Sequence, residues 1–72
     1  MRLIDVEEGK TVRVTHVEGG VGLKNRLVSI GIYPGGIVKV VKRPPGPMIL
    51  EVAGSRIAIG KGMAAKIEVE EV

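Results

Sequence analysis

Few residues in this 72-residue chain have the type and spacing to do chemistry. His16 is the single histidine, and one ligand does not make a transition-metal site. Glu18 and the distant Glu51, Glu68 and Glu70 share no helical i, i+3 or i+4 spacing with it, so His16 reads as a structural or surface histidine. There is no cysteine, which excludes a disulfide framework and any thiolate zinc or iron-sulfur site. Neither Ser29 nor Ser55 has a local partner that would activate it as a nucleophile. The expectation is a protein with no catalytic residue, no metal ligand set and no cofactor.

Two further stretches imitate binding motifs. Glu18 to Lys24, EGGVGLK, could cradle an anion at a helix N-terminus. It lacks both the spacing of a phosphate-binding loop with its Lys-Ser/Thr pair and the three glycines of a dinucleotide fingerprint, so it reads as a flexible turn from strand to helix. Arg43 to Pro47, RPPGP, contains a PxxP pattern, but two strand-like runs flank it and a rigid loop is the simpler reading.

Eleven basic residues against eight acidic give a net charge of +3, compatible with attraction to anionic surfaces. The charges are interspersed, and Tyr33 is the sole aromatic, a poor stacking platform for nucleic acid or proline-rich peptide. What remains is an apolar set, Val28, Ile32, Tyr33 and Met48, beside Lys24 and Arg26. Gathered around one helix end, these residues would make a partner-binding patch with Tyr33 as its amphipathic anchor.

The elements that must position this set follow from periodicity. Thr11 to Val17 alternates with Val12 and Val14 on one face, and His16 breaks the pattern where the strand bends or ends. Gly36 to Lys42 places Val38 and Val40 on one face and Ile37, Lys39 and Val41 on the other, a strand expected to be covered on both sides. Met48 to Ala53 turns Leu50 and Val52 inward, Arg56 to Ile59 turns Ile57 and Ile59, and Ala65 to Glu70 turns Ala65, Ile67 and Val69. Five short β-branched runs with Gly and Pro between them indicate a small antiparallel barrel or sandwich. In a chain this short the five-stranded barrel is favoured, because closure removes exposed edges.

The separators have their own chemistry. Pro34-Gly35 and Pro45-Gly46 suit type II turns, whose second central residue needs positive φ. Ala53 to Arg56 is short enough for a hairpin loop, and Gly60 to Met63 suits a longer connection with one helical turn. Only Val21 to Ile30 has helical period, with Leu23, Leu27 and Ile30 as its apolar stripe, Gly31 as its terminating glycine and Val28 facing outward.

Residues 1–72 make one domain, with 44% hydrophobic and 26% charged residues, a globular composition. The opening MRLIDVEEGK cannot supply the apolar core of a signal peptide, and no stretch approaches the roughly 20 apolar residues of a membrane span. The expected address is the cytoplasm.

Taken in order, several of these features resemble the FeoA family of ferrous iron transport. They are Leu3 with the turn at Gly9, the strand Val12 to Val17, Gly19-Gly20, and then Arg26-Leu27, Gly31-Ile32 and Pro34-Gly35. Downstream come the valine strand Val38 to Val41, Val52 with Gly54, Ile57-Ala58-Ile59 and Ala64 to Val69. Where many members carry a basic residue after the Ile59 position, this chain has Gly60, which leaves the Gly60 to Gly62 loop without an assigned role. The resemblance implies a mainly β, five-stranded SH3-like barrel with a short helix inserted after the first strand. It also implies an accessory protein that binds the cytoplasmic region of FeoB, the membrane GTPase and permease, and modulates iron uptake; self-association stays open. A related domain closes repressors of the diphtheria-toxin-repressor type, but this chain has no helix-turn-helix portion. The alternatives are a small basic barrel that binds RNA or DNA, and a metal-responsive regulatory module.

Overall fold

A computed structural model describes residues 1–72. After a 3-10 turn at Leu3–Asp5 come strand β1 (Thr11–Val17), helix α1 (Val21–Ser29), strands β2 (Ile37–Lys42), β3 (Met48–Val52) and β4 (Ser55–Ile59), the short helix α2 (Lys61–Ala64) and strand β5 (Ile67–Glu71). All five strands join one antiparallel sheet in the order β4-β3-β2-β1-β5. The sheet wraps a core of 16 buried hydrophobic residues. Leu3, Leu27 and Ala64 close that core from the helical segments, and all three are fully buried.

Alternation sets the inner face. Val12 and Val14, Val38 and Val40, Leu50 and Val52, and Ile67 and Val69 are buried, as period two requires of a half-buried sheet. In β1 the register with β5 shifts between Val14 and His16. That bulge turns His16 outward and lets Val17 return to the core, where it is buried.

Four expectations need correction. Ile37 is 46% exposed and Lys39 is exposed, so the outer face of β2 is mostly open, with only Val41 half-buried. Ile30 does not complete the apolar stripe: α1 ends at Ser29, and Ile30 sits beyond the last turn, partly exposed. Ala65 is absorbed as the cap of α2, and β5 begins at Ile67. Edges are managed without hydrogen-bonded closure, since β4 pairs only with β3 and β5 only with β1. The outer side of β5 is instead covered by the N-terminus, where Arg2 bridges Glu68 and the Val69 N–H donates to the Met1 carbonyl at 2.7 Å. Edge β4 is short and carries Arg56, features that blunt pairing with another chain.

The punctuation behaves as its residue types dictate. Gly35 and Gly46 both adopt positive φ, as does Gly31 after α1. Ala53 and Gly54 share positive φ between the paired Val52 and Ser55, a two-residue primed hairpin turn.

Candidate partner-binding cleft

The cleft begins with the way α1 stops. Ile30 caps the helix, and Gly31 follows with φ +96. The Gly31 N–H donates to the Val28 carbonyl at 3.0 Å, and the Ile32 N–H reaches back to the Leu27 carbonyl at 2.8 Å. This pair of bonds is a Schellman motif, which characteristically presses the residue immediately after the glycine against the last helical turn. Here that residue is Ile32, and both it and Leu27 are fully buried.

Ile32 therefore does not belong to the exposed set expected from the sequence. Met48 does not either: it shares parity with Leu50 and Val52, pairs opposite Ile59 and is fully buried. Val28 and Tyr33 are exposed, at 53% and 47%.

Beyond Ile32 the chain turns at once. The Gly36 N–H donates to the Tyr33 carbonyl at 2.9 Å, closing a turn around Pro34 and Gly35. The turn is pinned to β1 by two bonds of 2.8 Å, from the Gly35 N–H to the Val14 carbonyl and from the Val14 N–H to the Gly36 carbonyl. Tyr33 is thus held between a helix cap and a strand rather than on a loose loop.

These elements enclose a cleft of about 190 Å³. β1 contributes His16 and Val17, one face of α1 contributes Lys24 and Val28 at i, i+4, and the turn contributes Ile32, Tyr33 and Pro34. Ile32 meets the cleft as part of its wall while remaining a core residue. Arg26, on another side of α1, does not line it, and its carbonyl accepts the Ser29 hydroxyl at 2.6 Å. Of the six residues expected to form the patch, four line the cleft; Arg26 and Met48 stand apart.

His16, Val17 and Pro34 were missed. The break in β1 alternation at His16 was the available signal, since a bulge re-aims the side chain it carries. The strand register also sets His16 opposite Glu68, a neighbour 52 positions away that no local spacing reveals. No three of the His, Asp and Glu side chains gather in a way that could hold a metal ion.

Charge around the cleft is one-sided. None of its lining residues is acidic. The structure contains two salt bridges, Arg2 with Glu18 at 3.2 Å and Arg13 with Glu70 at 3.3 Å, and Lys24 takes part in neither.

Comparison with known proteins extends over nearly the whole chain. Residues 1–71 match the FeoA domain family. A protein of Methanocaldococcus jannaschii named "Putative Fe(2+) transport protein A" is 46% identical over 65 residues, which is 90% of this chain and 79% of that protein. The crystal structure of an iron uptake regulatory protein, FeoA, superposes with a TM-score of 0.90 at 35% identity, covering 99% of this chain and 95% of that one. The solution structure of iron(II) transport protein A from Clostridium thermocellum gives a TM-score of 0.91 at 30% identity, covering all of this chain and 46% of that one. The shared architecture is the five-stranded, mainly β, SH3-like fold with a short helix after the first strand. No helix is long and apolar enough to cross a membrane.

Proposed function

Because the chain belongs to the FeoA domain family of ferrous iron transport, we propose that it is a non-enzymatic accessory protein that docks on the cytoplasmic region of a FeoB-type permease and modulates iron uptake. The observation that carries this reading is the cleft between the end of α1 and β1, where the only aromatic side chain is half-exposed on a rigid seat. Singly exposed apolar residues need no explanation. Val28 and Tyr33 share one concavity, and a tyrosine in such a place offers apolar area with a polar tip at low entropic cost.

A standard interface of ~800 Å² per partner would take about a fifth of the 4199 Å² surface of this chain. The cleft is therefore the anchor of a wider footprint, with Lys24 supplying charge at its rim.

Calorimetric titration against the soluble cytoplasmic region of the matching FeoB tests the proposal. Binding is expected, and Tyr33→Ala weakens it by tenfold or more, in line with the ~2 kcal/mol of an anchor residue. Absence of binding at high micromolar concentration, with the whole cytoplasmic region present, overturns it.

A further inference from the structure

We infer that the cleft accepts one leucine- or phenylalanine-sized side chain of a partner protein, with a carboxylate beside it that meets Lys24. The inference rests on the reading of the cleft as the docking surface and adds the chemistry of what enters it.

Volume decides the first half. The cleft measures about 190 Å³. Sites for drug-sized molecules start near about 300 Å³, whereas an apolar cavity of about 150 Å³ is enough to hold a benzene ring. The volume matches one large apolar side chain and falls below that of a typical small-molecule site. Val28, Tyr33 and Pro34 supply the exposed apolar lining, and the buried Val17 and Ile32 lie behind it.

Charge decides the second half. Lys24 stands at the rim, one turn before Val28 on α1, with no carboxylate in either salt bridge to compensate it. His16 stands across the cleft on β1, and no lining residue is acidic. Glu68, opposite His16 in register, belongs to the sheet and does not line the cleft. An acidic group flanking the anchor is attracted to this rim, and a basic one is repelled.

Two capped pentapeptides supply the probe, one with a central phenylalanine between glutamates and one with the same residue between lysines. Each is titrated into the 15N-labelled chain at millimolar concentration while amide shifts are followed. The glutamate peptide is expected to move the resonances of Lys24, Val28, Tyr33 and their neighbours, with the lysine peptide weaker. Lys24→Glu lowers affinity for the glutamate peptide about 2- to 5-fold, the range of an exposed ion pair, and raises it for the lysine peptide. Lys61→Glu changes net charge equally away from the cleft and leaves the preference in place, which separates local complementarity from the overall charge of +3.

Shifts that fall elsewhere, no shifts at all, or equal response to both peptides overturn the inference. So does a Lys61→Glu effect as large as that of Lys24→Glu. If the FeoB region binds the chain and the glutamate peptide leaves the cleft unmoved, the occupant is wrong and the docking surface stands. If the peptide binds and the FeoB region does not, the cleft chemistry stands and the docking reading falls.

Discussion

Gly36 donates its N–H to the carbonyl of Tyr33, and a Cβ placed on Gly36 would lie 3.0 Å from that same oxygen and 3.5 Å from the ring atom Cε1 of Tyr33. The bare backbone at Gly36 is thus the seat on which the single aromatic residue rests. Gly36→Ala should push the turn and the ring apart, costing about 1–2 kcal/mol by the same overpacking that penalises an extra methyl in a core. Because the chain has no Trp or Phe, its near-ultraviolet dichroism reports Tyr33 alone, and the variant should lose that signal while keeping its far-ultraviolet spectrum. An unchanged near-ultraviolet band would show that the seat does not position the ring.

Gly31 carries a heavier constraint. Its φ of +96 disfavours any L side chain, and an added Cβ would stand 2.7 Å from Cγ1 of Val52 on β3. Gly31→Ala should lose about 2–3 kcal/mol in urea unfolding, combining the left-handed penalty with steric conflict. For a chain of this size, whose total stability is about 4–11 kcal/mol at typical values per residue, that is a large fraction. Val52→Ala removes the clash but also empties part of the core, so in a double-mutant cycle Gly31→Ala should cost less in the Val52→Ala background than in the native chain.

Ile32 and Val28 should separate stability from binding. Ile32 is fully buried against the core and its replacement by Ala should cost about 2–5 kcal/mol. Val28 is 53% exposed, and Val28→Asp, which places an acidic group in the last turn of α1, should cost about 1 kcal/mol while weakening capture of the FeoB region. Equal loss of stability in both variants would place Val28 in the core and remove it from the docking surface.

Helix α1 begins weakly, with Gly20 as a cap that makes no side-chain bond, Gly22 in the first turn and no acidic residue there. A Cβ at Gly20 or Gly22 meets nothing within 4 Å. Gly22→Ala should therefore raise stability by about 0.5–1 kcal/mol, and Gly20→Asp should add about 0.3–1 kcal/mol through the helix dipole. Thermal melts check both, and neither residue lines the cleft, so binding should be retained.

The hairpin at Ala53-Gly54 offers a further check on backbone strain. Ala53 holds φ +50, a conformation that costs an alanine about 1–2 kcal/mol relative to glycine or asparagine. Ala53→Asn should raise the melting temperature, and a fall would mean that the turn has another conformation in solution.

Much of this protein is local in origin and was legible in its sequence. Alternation in TVRVTHV, the helical stripe of Leu23 and Leu27, and the glycines at 31, 35 and 46 each express backbone preferences that act over a few residues. Ile32 and Met48 were legible by the same rules: the position after a terminating glycine packs onto the helix, and Met48 shares parity with Leu50 and Val52. The cleft itself was decided by tertiary structure alone. His16 faces it because a bulge between Val14 and His16 adjusts the pairing of β1 with β5, and Glu68 lies opposite through that same long-range register. Lys24 from α1, His16 from β1 and Tyr33 from the turn meet because Gly35 and Gly36 bond to Val14. Local preferences set the conformation of each segment, whereas the shared surface depends on contacts between segments distant in sequence, whose energies enter only once the chain has closed on its core.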